Sequence, residues 1–198
     1  MDIRGSICAL VTPFAADGTL DLAAFGRLLD YQIDGGTQAL VVAGSTGEAH
    51  MLDHDEFERL LAFALGHVAG RVTVIAGTGE AGTAKTLALT RRAQALGADA
   101  ALVVTPYYVR PTQDGLFRHF TAVADEAGLP VILYNVPSRT GCDLLPDTVA
   151  RLREHPAIIG IKEARGDRAR ISALAELVRA DFVYLSGDDG SAGEAMLA

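Results

Sequence analysis

The stretch Ile158-Ile159-Gly160-Ile161-Lys162-Glu163-Ala164 is an apolar segment of strand length that is interrupted by a lysine. Burying an ammonium group in such a segment is costly unless a partner compensates for it. The chain has fifteen arginines but only two lysines, Lys85 and Lys162. A desolvated lysine can be neutral and nucleophilic, whereas arginine stays protonated. The stretch therefore predicts a buried strand that carries a Schiff-base lysine near its carboxyl end.

Period-two alternation along this stretch predicts which of its residues share a face of the sheet. Residues 158, 160, 162 and 164 are expected on one face, and residues 159, 161 and 163 on the other. The small neighbours of Lys162 leave room for a ligand over its amine. At its ordinary pKa only about one lysine in 2,500 is neutral at pH 7, so desolvation strongly increases the reactive fraction. The alternative is a lysine held in a buried structural ion pair.

Apolar runs of strand length alternate with helix-like segments on both sides of this stretch. Seven runs are predicted as strands, at residues 6–14, 39–44, 72–78, 101–107, 130–137, 158–164 and 182–188. Six helical segments, several with Asp or Thr caps, are predicted at residues 21–34, 53–68, 83–96, 112–127, 146–153 and 167–179. The runs are apolar on both faces, which is typical of parallel strands covered by helices. This order predicts an α/β fold, either a (β/α)8 TIM barrel or an open doubly wound sheet.

Polar residues at the carboxyl ends of the predicted strands favour the barrel. They follow five different strands, as in the top loops of a barrel, whereas an open sheet concentrates them at one switch point. These residues are Ser45, Thr46, Glu48, Tyr107, Tyr108, Tyr134, Asn135, Lys162, Glu163, Asp188 and Asp189. We therefore predict a single barrel domain over residues 1–198. A complete barrel has about 250 residues, so this one is expected to be truncated after the seventh strand, without an eighth strand or a C-terminal helical region.

Composition restricts the class of protein further. With 198 residues and 49% hydrophobic residues, the chain is long enough to form one core. The net charge of −8 argues against a nucleic-acid partner, and no segment approaches the about 20 apolar residues of a membrane span. Two cysteines, Cys8 and Cys142, suit a reduced compartment, and the N-terminus is unlike a signal peptide. We expect a cytoplasmic protein without nucleic-acid or membrane partners.

Three other motifs are interpreted as structural. The stretch 77–82 matches G-x-G-x-x-G, but Glu80 would place a negative charge in a phosphate cradle, so a tight strand-to-helix turn is favoured. His50 and His54 lie four residues apart without an evident third ligand, which favours a helix start near solvent over a metal site. The adjacent Asp188-Asp189 pair is weak evidence for a divalent cation. No metal is predicted.

Four motifs resemble those of the dihydrodipicolinate synthase branch of the pyruvate-dependent class I aldolase family, which includes the N-acetylneuraminate lyases. The resemblance runs from residue 5 to residue 189. Three of the motifs are family-wide: Gly44-Ser45-Thr46-Gly47-Glu48, Thr105-Pro106-Tyr107-Tyr108 and Gly160-Ile161-Lys162-Glu163. The fourth, Tyr134-Asn135-Val136-Pro137-Ser138-Arg139-Thr140-Gly141, is more specific, because its arginine is typical of the synthases and not of the sialic-acid lyases.

The resemblance implies a Schiff-base lyase that condenses pyruvate with L-aspartate 4-semialdehyde in lysine and diaminopimelate biosynthesis. Lys162 would form the imine and act as the electron sink, so no cofactor is implied. Tyr134 would move protons during imine formation, with Ser45 and Tyr108 connecting it to solvent. Ser45 stands where threonine is common, which keeps the hydroxyl but loses the methyl that fixes its rotamer. Tyr108 would enter a neighbouring subunit, which implies a homo-oligomer, as a dimer of dimers.

The resemblance also implies residues that bind the substrates. Thr46 would hold the pyruvate carboxylate, Arg139 would receive the semialdehyde carboxylate, and Gly187 would line the floor of the site. A planar bidentate donor such as arginine suits a carboxylate. Two alternatives stay open. The chain could be another pyruvate aldolase, acting on a sugar acid or a hydroxyproline derivative, or a non-catalytic fragment that is stable only within an oligomer.

Relatives that are inhibited by L-lysine carry an asparagine, a histidine and a glutamate in an interface pocket. The corresponding residues here are Ala81, Phe57 and Lys85. A cation replaces the glutamate that would meet the ligand's ammonium group. We therefore expect little or no inhibition by L-lysine.

Overall fold

The computed structural model describes residues 3–198 as one parallel sheet flanked by helices. The strands are β1 (Ile7–Ala9), β2 (Ala39–Val42), β3 (Thr73–Gly77), β4 (Ala100–Val104), β5 (Val131–Asn135), β6 (Ile158–Glu163) and β7 (Val183–Ser186). The helices are α1 (Leu22–Asp34), α2 (His54–Val68), α3 (Thr83–Leu96), α4 (Gln113–Glu126), α5 (Pro137–Thr140), α6 (Pro146–Leu152), α7 (Arg168–Ala175) and α8 (Ala192–Leu197), with a 3₁₀ helix at Ala49–Met51.

The order of the strands decides between the two predicted architectures. The seven strands follow one another as β1-β2-β3-β4-β5-β6-β7, and every neighbouring pair is parallel. A doubly wound sheet would reverse its order at a switch point, and this sheet has no reversal. The predicted barrel class is therefore confirmed, as a curled sheet of seven strands.

Two apolar layers lie on opposite faces of this sheet. The outer layer packs strand residues against helix residues such as Phe25, Leu61 and Phe120. The buried members of the inner layer come only from strands and adjoining segments, and they are Ile3, Ala39, Val41, Ile75, Ala100, Leu102, Val104, Ile132, Tyr134 and Val136. A layer filled by strand residues alone is typical of a barrel interior. The helices therefore cover one face, and the other encloses the interior.

The predicted helix starts agree with the structure where a side chain caps the first turn. Asp53 accepts a hydrogen bond from the Glu56 amide, and the Glu56 carboxylate accepts one from the Asp53 amide, which is a complete capping box. Asp21, Thr112 and Asp167 cap α1, α4 and α7 in the same way from their side chains. These short-range signals place the helices correctly because both partners lie within one turn.

Two predicted elements end at least four residues earlier in the structure than predicted. β1 covers three residues instead of residues 6–14, since the chain leaves the sheet and Phe14 forms an isolated antiparallel bridge with Leu20. α7 ends at Ala175 instead of residue 179, because Arg179 bridges back to Phe182 ahead of β7. Helix α5 was not predicted, since four residues are too few to show helical periodicity.

The predicted alternation along β6 is wrong at its start. Val131 pairs with Ile158 but Ile132 pairs with Gly160, so β6 contains one unpaired residue there. This irregularity places Ile158 in the outer layer and turns Ile159 toward the inner one. A bulge of this kind exchanges the faces of neighbouring residues without ending the strand. Past it, Tyr134 pairs with Lys162 and Asn135 with Glu163.

The glycine-rich stretch 77–82 connects β3 to α3 and is explained by close backbone packing. A Cβ atom at Gly77 would lie 2.0 Å from the Ala43 carbonyl oxygen, and one at Gly79 would lie 2.4 Å from the Val104 amide nitrogen. Real Cβ atoms do not approach backbone that closely, so both positions require glycine. The glycines serve the packing of neighbouring strand ends, as the turn interpretation predicted.

His119 on α4 is buried against α3, with 5% of its surface exposed. Its Nδ1 atom is 2.9 Å from Thr83 Oγ1, and its Nε2 atom has no hydrogen-bond partner among residues 3–198. Burial lowers the pKa of His119 from 6.5 to about 4. The folded state therefore disfavours the protonated imidazole.

We expect this histidine to make the fold acid-sensitive. A histidine whose pKa is lowered on folding keeps its stabilising contribution above the unfolded pKa and loses it as the pH falls from 6.5 toward 4. The full shift corresponds to about 3 kcal/mol of unfolding free energy. Urea unfolding of His119→Asn between pH 7 and pH 4.5 should show a smaller acid loss than the parent chain. His54→Gln, which changes an exposed histidine at the start of α2, is the control, and equal acid losses in all three proteins would contradict the prediction.

Candidate active site

Lys162 and Tyr134 face each other on neighbouring strands. They are paired residues of β6 and β5, and the Lys162 Nζ atom lies 4.8 Å from the centre of the Tyr134 ring. Burial lowers the pKa of the Lys162 amine, and the nearby Asp189 carboxylate and Cys8 partly oppose this shift. A lowered pKa increases the fraction of neutral, nucleophilic amine at neutral pH. The structure therefore contains the buried lysine that the sequence predicts, with its amine beside a buried tyrosine.

Tyr134 is suited to hold a proton beside this amine. Burial raises the pKa of its phenol, and the Glu163 carboxylate raises it as well. A hydrogen bond with Ser45 and the charge of Arg139 act in the opposite direction. The net shift is upward, so the phenol stays protonated at neutral pH and can donate to a developing hydroxide. Three predicted site residues therefore act on Tyr134 or lie beside it in the structure: Lys162, Ser45 and Arg139.

Ser45 and Thr46 lie on the turn that follows β2. Ser45 lines the same pocket as Tyr134, while Thr46 is exposed on the turn beside it. The turn is held where the Thr12 hydroxyl donates to the Gly47 carbonyl oxygen at 2.6 Å. A Cβ at Gly47 would lie 2.8 Å from the Leu10 carbonyl oxygen, so the turn packs tightly against the segment after β1. This packing fixes the backbone that presents both hydroxyls.

Three residues to which the sequence analysis gave no role in a site lie at the edge of this pocket. His50 lines the pocket on the 3₁₀ helix, and its ring centre is 4.3 Å from that of Tyr107. The Tyr107 hydroxyl donates to Glu80 Oε2 at 2.8 Å. Burial, followed by this carboxylate, raises the pKa of Tyr107 to about 12. The position of His50 five residues after Ser45, in the same loop, is the signal that could have placed it here.

Tyr108 is separated from the other predicted site residues. Its ring is 90% exposed and makes no hydrogen bond to Ser45 or Tyr134 within residues 3–198. Its φ of 71° lies in the left-handed region, and the Val109 amide donates to the Tyr107 carbonyl oxygen at 2.8 Å across it. This is a γ-turn, a strained conformation for a residue with a side chain. The Tyr108 amide is held by the Thr140 carbonyl oxygen at 3.1 Å.

Arg139 lies on the short helix α5 directly after β5. Its side chain is exposed, and its charge lowers the pKa of Tyr134, which places it near the phenol. Pro137 begins the helix, and Gly141 ends it with a φ of 68°. The proline start and the glycine end of this one-turn helix place the Arg139 backbone close to the end of β5. An exposed cation near the Tyr134 phenol can receive a carboxylate.

Gly187 packs directly against the lysine. It follows β7, and its amide donates to the Glu163 carbonyl oxygen at 2.7 Å. A Cβ at this position would lie 2.9 Å from Lys162 Cε and 3.2 Å from both Lys162 Cγ and Ala164 Cβ. The absence of a side chain at Gly187 therefore leaves the space that the Lys162 side chain occupies.

Gly187→Ala should displace the lysine while leaving the fold intact, because the atoms it meets belong mainly to a flexible side chain. We expect the rate at which Lys162 is trapped by pyruvate and borohydride to fall about tenfold, since a shift of about 1 Å in a reacting group is enough to slow a reaction strongly. Peptide mass spectrometry measures the trapped fraction. Gly66→Ala is the control because a Cβ there meets no atom within 4 Å. An unchanged trapping rate in Gly187→Ala would contradict this.

The described residues offer neither a metal cluster nor a membrane segment. Residues 3–198 contain no group of three His, Cys, Asp or Glu side chains arranged to hold a metal ion. Asp188 instead accepts hydrogen bonds from the Ser191 amide at 3.0 Å and from the Ser191 hydroxyl at 2.6 Å. Within the same residues, no helix combines the length and apolar character needed to span a bilayer.

Fold and site together define an α/β barrel-type protein in which one desolvated lysine lies beside Tyr134, a residue that lines the pocket. The sequence model of the Dihydrodipicolinate synthetase family matches residues 2–198. The chain belongs to this family.

Individual relatives agree with this assignment. The chain is 65% identical over 198 residues to a 4-hydroxy-tetrahydrodipicolinate synthase from Xanthomonas axonopodis pv. citri, covering 100% of this chain and 66% of the relative. Among solved structures, dihydrodipicolinate synthase from Bacillus anthracis superposes with a TM-score of 0.96 at 42% identity, covering 100% of this chain and 68% of that one. The chloride-inhibited enzyme from Acinetobacter baumannii, complexed with pyruvate, gives a TM-score of 0.96 at 46% identity, with coverages of 99% and 67%. The chain thus spans about two thirds of the length of its relatives.

Proposed function

We propose that this protein condenses pyruvate with L-aspartate 4-semialdehyde through a Schiff base on Lys162, giving 4-hydroxy-tetrahydrodipicolinate. The observation that carries the proposal is the desolvated Lys162 amine, 4.8 Å from the ring centre of a buried tyrosine. The family assignment supports the same chemistry. Such a site suits a lyase of lysine and diaminopimelate biosynthesis, and we propose the cytoplasm as its compartment.

The first half of the reaction forms the imine. The neutral Lys162 amine attacks the keto carbon of pyruvate, and the resulting hydroxyl leaves as water after it receives a proton from Tyr134. The raised pKa of Tyr134 keeps that proton available. Ser45, which bonds to Tyr134, passes protons onward, and Thr46 holds the pyruvate carboxylate. The positive imine then acidifies the methyl group of pyruvate, and loss of one methyl proton gives an enamine.

The second half forms the carbon–carbon bond and releases the lysine. The enamine carbon attacks the aldehyde carbon of the semialdehyde, whose carboxylate is held by Arg139, and the new alkoxide takes up a proton. The amine of the bound semialdehyde then attacks the imine carbon, which expels the Lys162 amine and closes the ring. One water is released overall. The lysine serves as the electron sink, so the scheme uses no cofactor.

We further propose that the protein acts as a homo-oligomer, as a dimer of dimers. The exposed ring of Tyr108 and its strained backbone support this, since strain at φ 71° is retained where the surrounding structure requires it. Val109 and Met51 are also exposed apolar residues. In this arrangement Tyr108 enters the site of the neighbouring subunit. Its hydroxyl joins those of Ser45 and Tyr134 there, and the three groups pass protons to and from solvent.

Reductive trapping tests the proposed function directly. The purified chain is incubated with pyruvate and borohydride, and the intact and peptide masses are measured. A reduced pyruvyl adduct on the Lys162 peptide supports the imine chemistry. A cooperatively folded chain that forms no adduct would overturn the proposal for this chain. Addition of the semialdehyde before borohydride should reduce the adduct, because turnover consumes the enamine.

We expect L-lysine to leave the rate of this reaction nearly unchanged. Phe57 is buried in the outer layer, and Lys85 lies in the first turn of α3 with an exposed side chain. The ammonium group of L-lysine needs a hydrogen-bond acceptor or a negative charge. A buried phenyl ring and a second ammonium group supply neither. Steady-state rates at millimolar L-lysine should stay within twofold of the uninhibited rate, and Lys85→Ala should behave alike. A steep fall in the rate of the parent chain would contradict this.

A further inference from the structure

A buried polar cluster lies on the opposite face of the sheet from the lysine and the tyrosine. Asn135 and Glu163 directly follow Tyr134 and Lys162, and the two residues pair across β5 and β6. Because side chains alternate along a strand, Asn135 and Glu163 point away from the pocket. Asn135 is 0% exposed, Glu163 1% and Arg170 6%. Charged groups this deeply buried require partners to be tolerated.

Glu163 is fully engaged on both of its oxygens. Asn135 Nδ2 donates to Oε1 at 3.1 Å and to Oε2 at 2.9 Å. The Arg165 amide donates to Oε1 at 2.8 Å, and Arg170 Nη1 is 3.7 Å from Oε2. Every one of these groups is a donor, so the site is built for a carboxylate and not for an amide.

Asn135 extends the cluster to the segment after β5. Its Oδ1 atom accepts from the Leu144 amide at 2.9 Å, and its Nδ2 atom donates to Asp143 Oδ1 at 2.8 Å. Arg170 from α7 donates to Asp143 Oδ2 and to the Leu144 carbonyl oxygen, both at 2.7 Å. These bonds fix the orientation of the Asn135 amide. The cluster therefore joins the carboxyl ends of β5 and β6 to α7 and to the segment that follows Arg139.

We propose that Glu163 is a positioning residue, which together with Asn135 and Arg170 holds the Lys162 amine in its desolvated place beside Tyr134 from behind the sheet. The proposal rests on the proposed role of Lys162 as the nucleophile. The bonds that fix the pairing of Asn135 with Glu163 also fix the preceding pair, Tyr134 with Lys162, since each strand is continuous. If Glu163 or one of its partners no longer forms these bonds, the ends of β5 and β6 can move apart and water can reach the Lys162 amine. The cluster thereby links the geometry of the pocket to a set of residues that never contacts the substrate.

The decisive variant is Glu163→Gln, which keeps the size of the side chain but introduces an NH₂ group. One end of the new amide must face Asn135 Nδ2, Arg170 or the Arg165 amide, and all of these are donors. Asn135 cannot turn over to compensate, because its own oxygen accepts from the Leu144 amide. The expected result is an unpaired buried donor and a looser junction of β5 with β6. Glu126→Gln is the matched control, since Glu126 pairs with Arg91 on the surface.

Two readouts separate positioning from plain structural support. The first is the rate of borohydride-trapped adduct as a function of pyruvate concentration, where Glu163→Gln should lower the maximal rate at least tenfold and change the half-saturating concentration less than threefold. The second uses no pyruvate: Lys162 and Lys85 are acetylated with trace acetic anhydride at a series of pH values and quantified by peptide mass. The pH midpoint for Lys162 should rise by at least about half a unit in Glu163→Gln, because hydration favours the ammonium form.

Further variants keep the test decisive if Glu163→Gln folds poorly. Glu163→Asp keeps the carboxylate on a shorter side chain, and it should retain more of the trapping rate than Glu163→Gln. Arg170→Lys keeps the charge but lacks the two separate nitrogens with which Arg170 bonds to Asp143 and Leu144, and it should give a smaller shift in the same direction. All measurements are made on chains whose circular dichroism matches the parent.

The outcomes for the two proposals are distinct. A parent chain without a pyruvyl adduct overturns the proposed function, whereas the acetylation midpoint of Lys162 still decides whether Glu163 positions the amine. A midpoint and a trapping rate that are unchanged in folded Glu163→Gln and Arg170→Lys would overturn the positioning role and leave the cluster as structural support only.

Discussion

Replacing Lys162 by alanine is expected to abolish the pyruvyl adduct and to lower the condensation rate at least about a thousand-fold. The reason is that residues 3–198 hold one other lysine, Lys85, whose side chain is exposed at the start of α3. No other amine of this pocket can form the imine. Mass spectrometry after borohydride treatment measures the adduct, and a coupled assay measures the condensation.

Lys85→Ala is the matched control for this variant, because it removes the same charge from the chain at an exposed position. It should retain the full adduct and the full rate. Lys162→Ala should also fold normally, since removing a buried ammonium relieves a desolvation penalty. Residual trapping above a tenth of the parent level in Lys162→Ala would contradict the assignment of the nucleophile.

Replacing Arg139 by alanine is expected to lower the rate of condensation with the semialdehyde about 100-fold while leaving imine formation with pyruvate within about threefold of the parent. A charge-assisted hydrogen bond contributes about 1.5–3 kcal/mol, which corresponds to a factor of about 10 to 150. Arg139 lies beyond Tyr134 on α5 and has an exposed guanidinium. The loss should therefore fall on the second substrate, as a higher KM for the semialdehyde and a lower kcat.

Arg118→Ala provides the control for net charge, because Arg118 is exposed on α4 and its loss changes the charge by the same amount. It should leave both steps unchanged. In a pyruvate-dependent aldolase with a different second substrate, Arg139→Ala would change neither imine trapping nor the rate measured with the semialdehyde by much. That result would favour the alternative activity on a sugar acid or a hydroxyproline derivative.

The barrel class and the buried lysine follow from local features of the sequence. Parallel strands are apolar on both faces, and Lys162 interrupts such a strand. The helix starts at Asp53 and Asp167 follow from caps that act within one turn. The sequential strand order, which excludes the doubly wound sheet, agrees with polar residues spread over many strand ends.

Other predictions depended on distances that the sequence does not contain. The faces of Ile158 and Ile159 are exchanged by an irregularity that arises only when β6 pairs with β5. His50, Tyr107 and Glu80 meet at the pocket edge from three separate loops. The exposure of Tyr108 and its left-handed backbone also result from a turn held by Thr140, more than thirty residues away.

Short segments of the sequence are enough to predict the fold class and the buried lysine, because desolvation of a charge and strand patterning are local properties, and four motifs carry the resemblance to the family. How that lysine is held depends on contacts that form only in the folded chain. Asn135 and Glu163 are 28 residues apart, and Arg170 reaches Asp143 across 27 residues. Their carboxylate and amide groups become partners because the register of two strands places them together, and register is set by packing over the whole sheet.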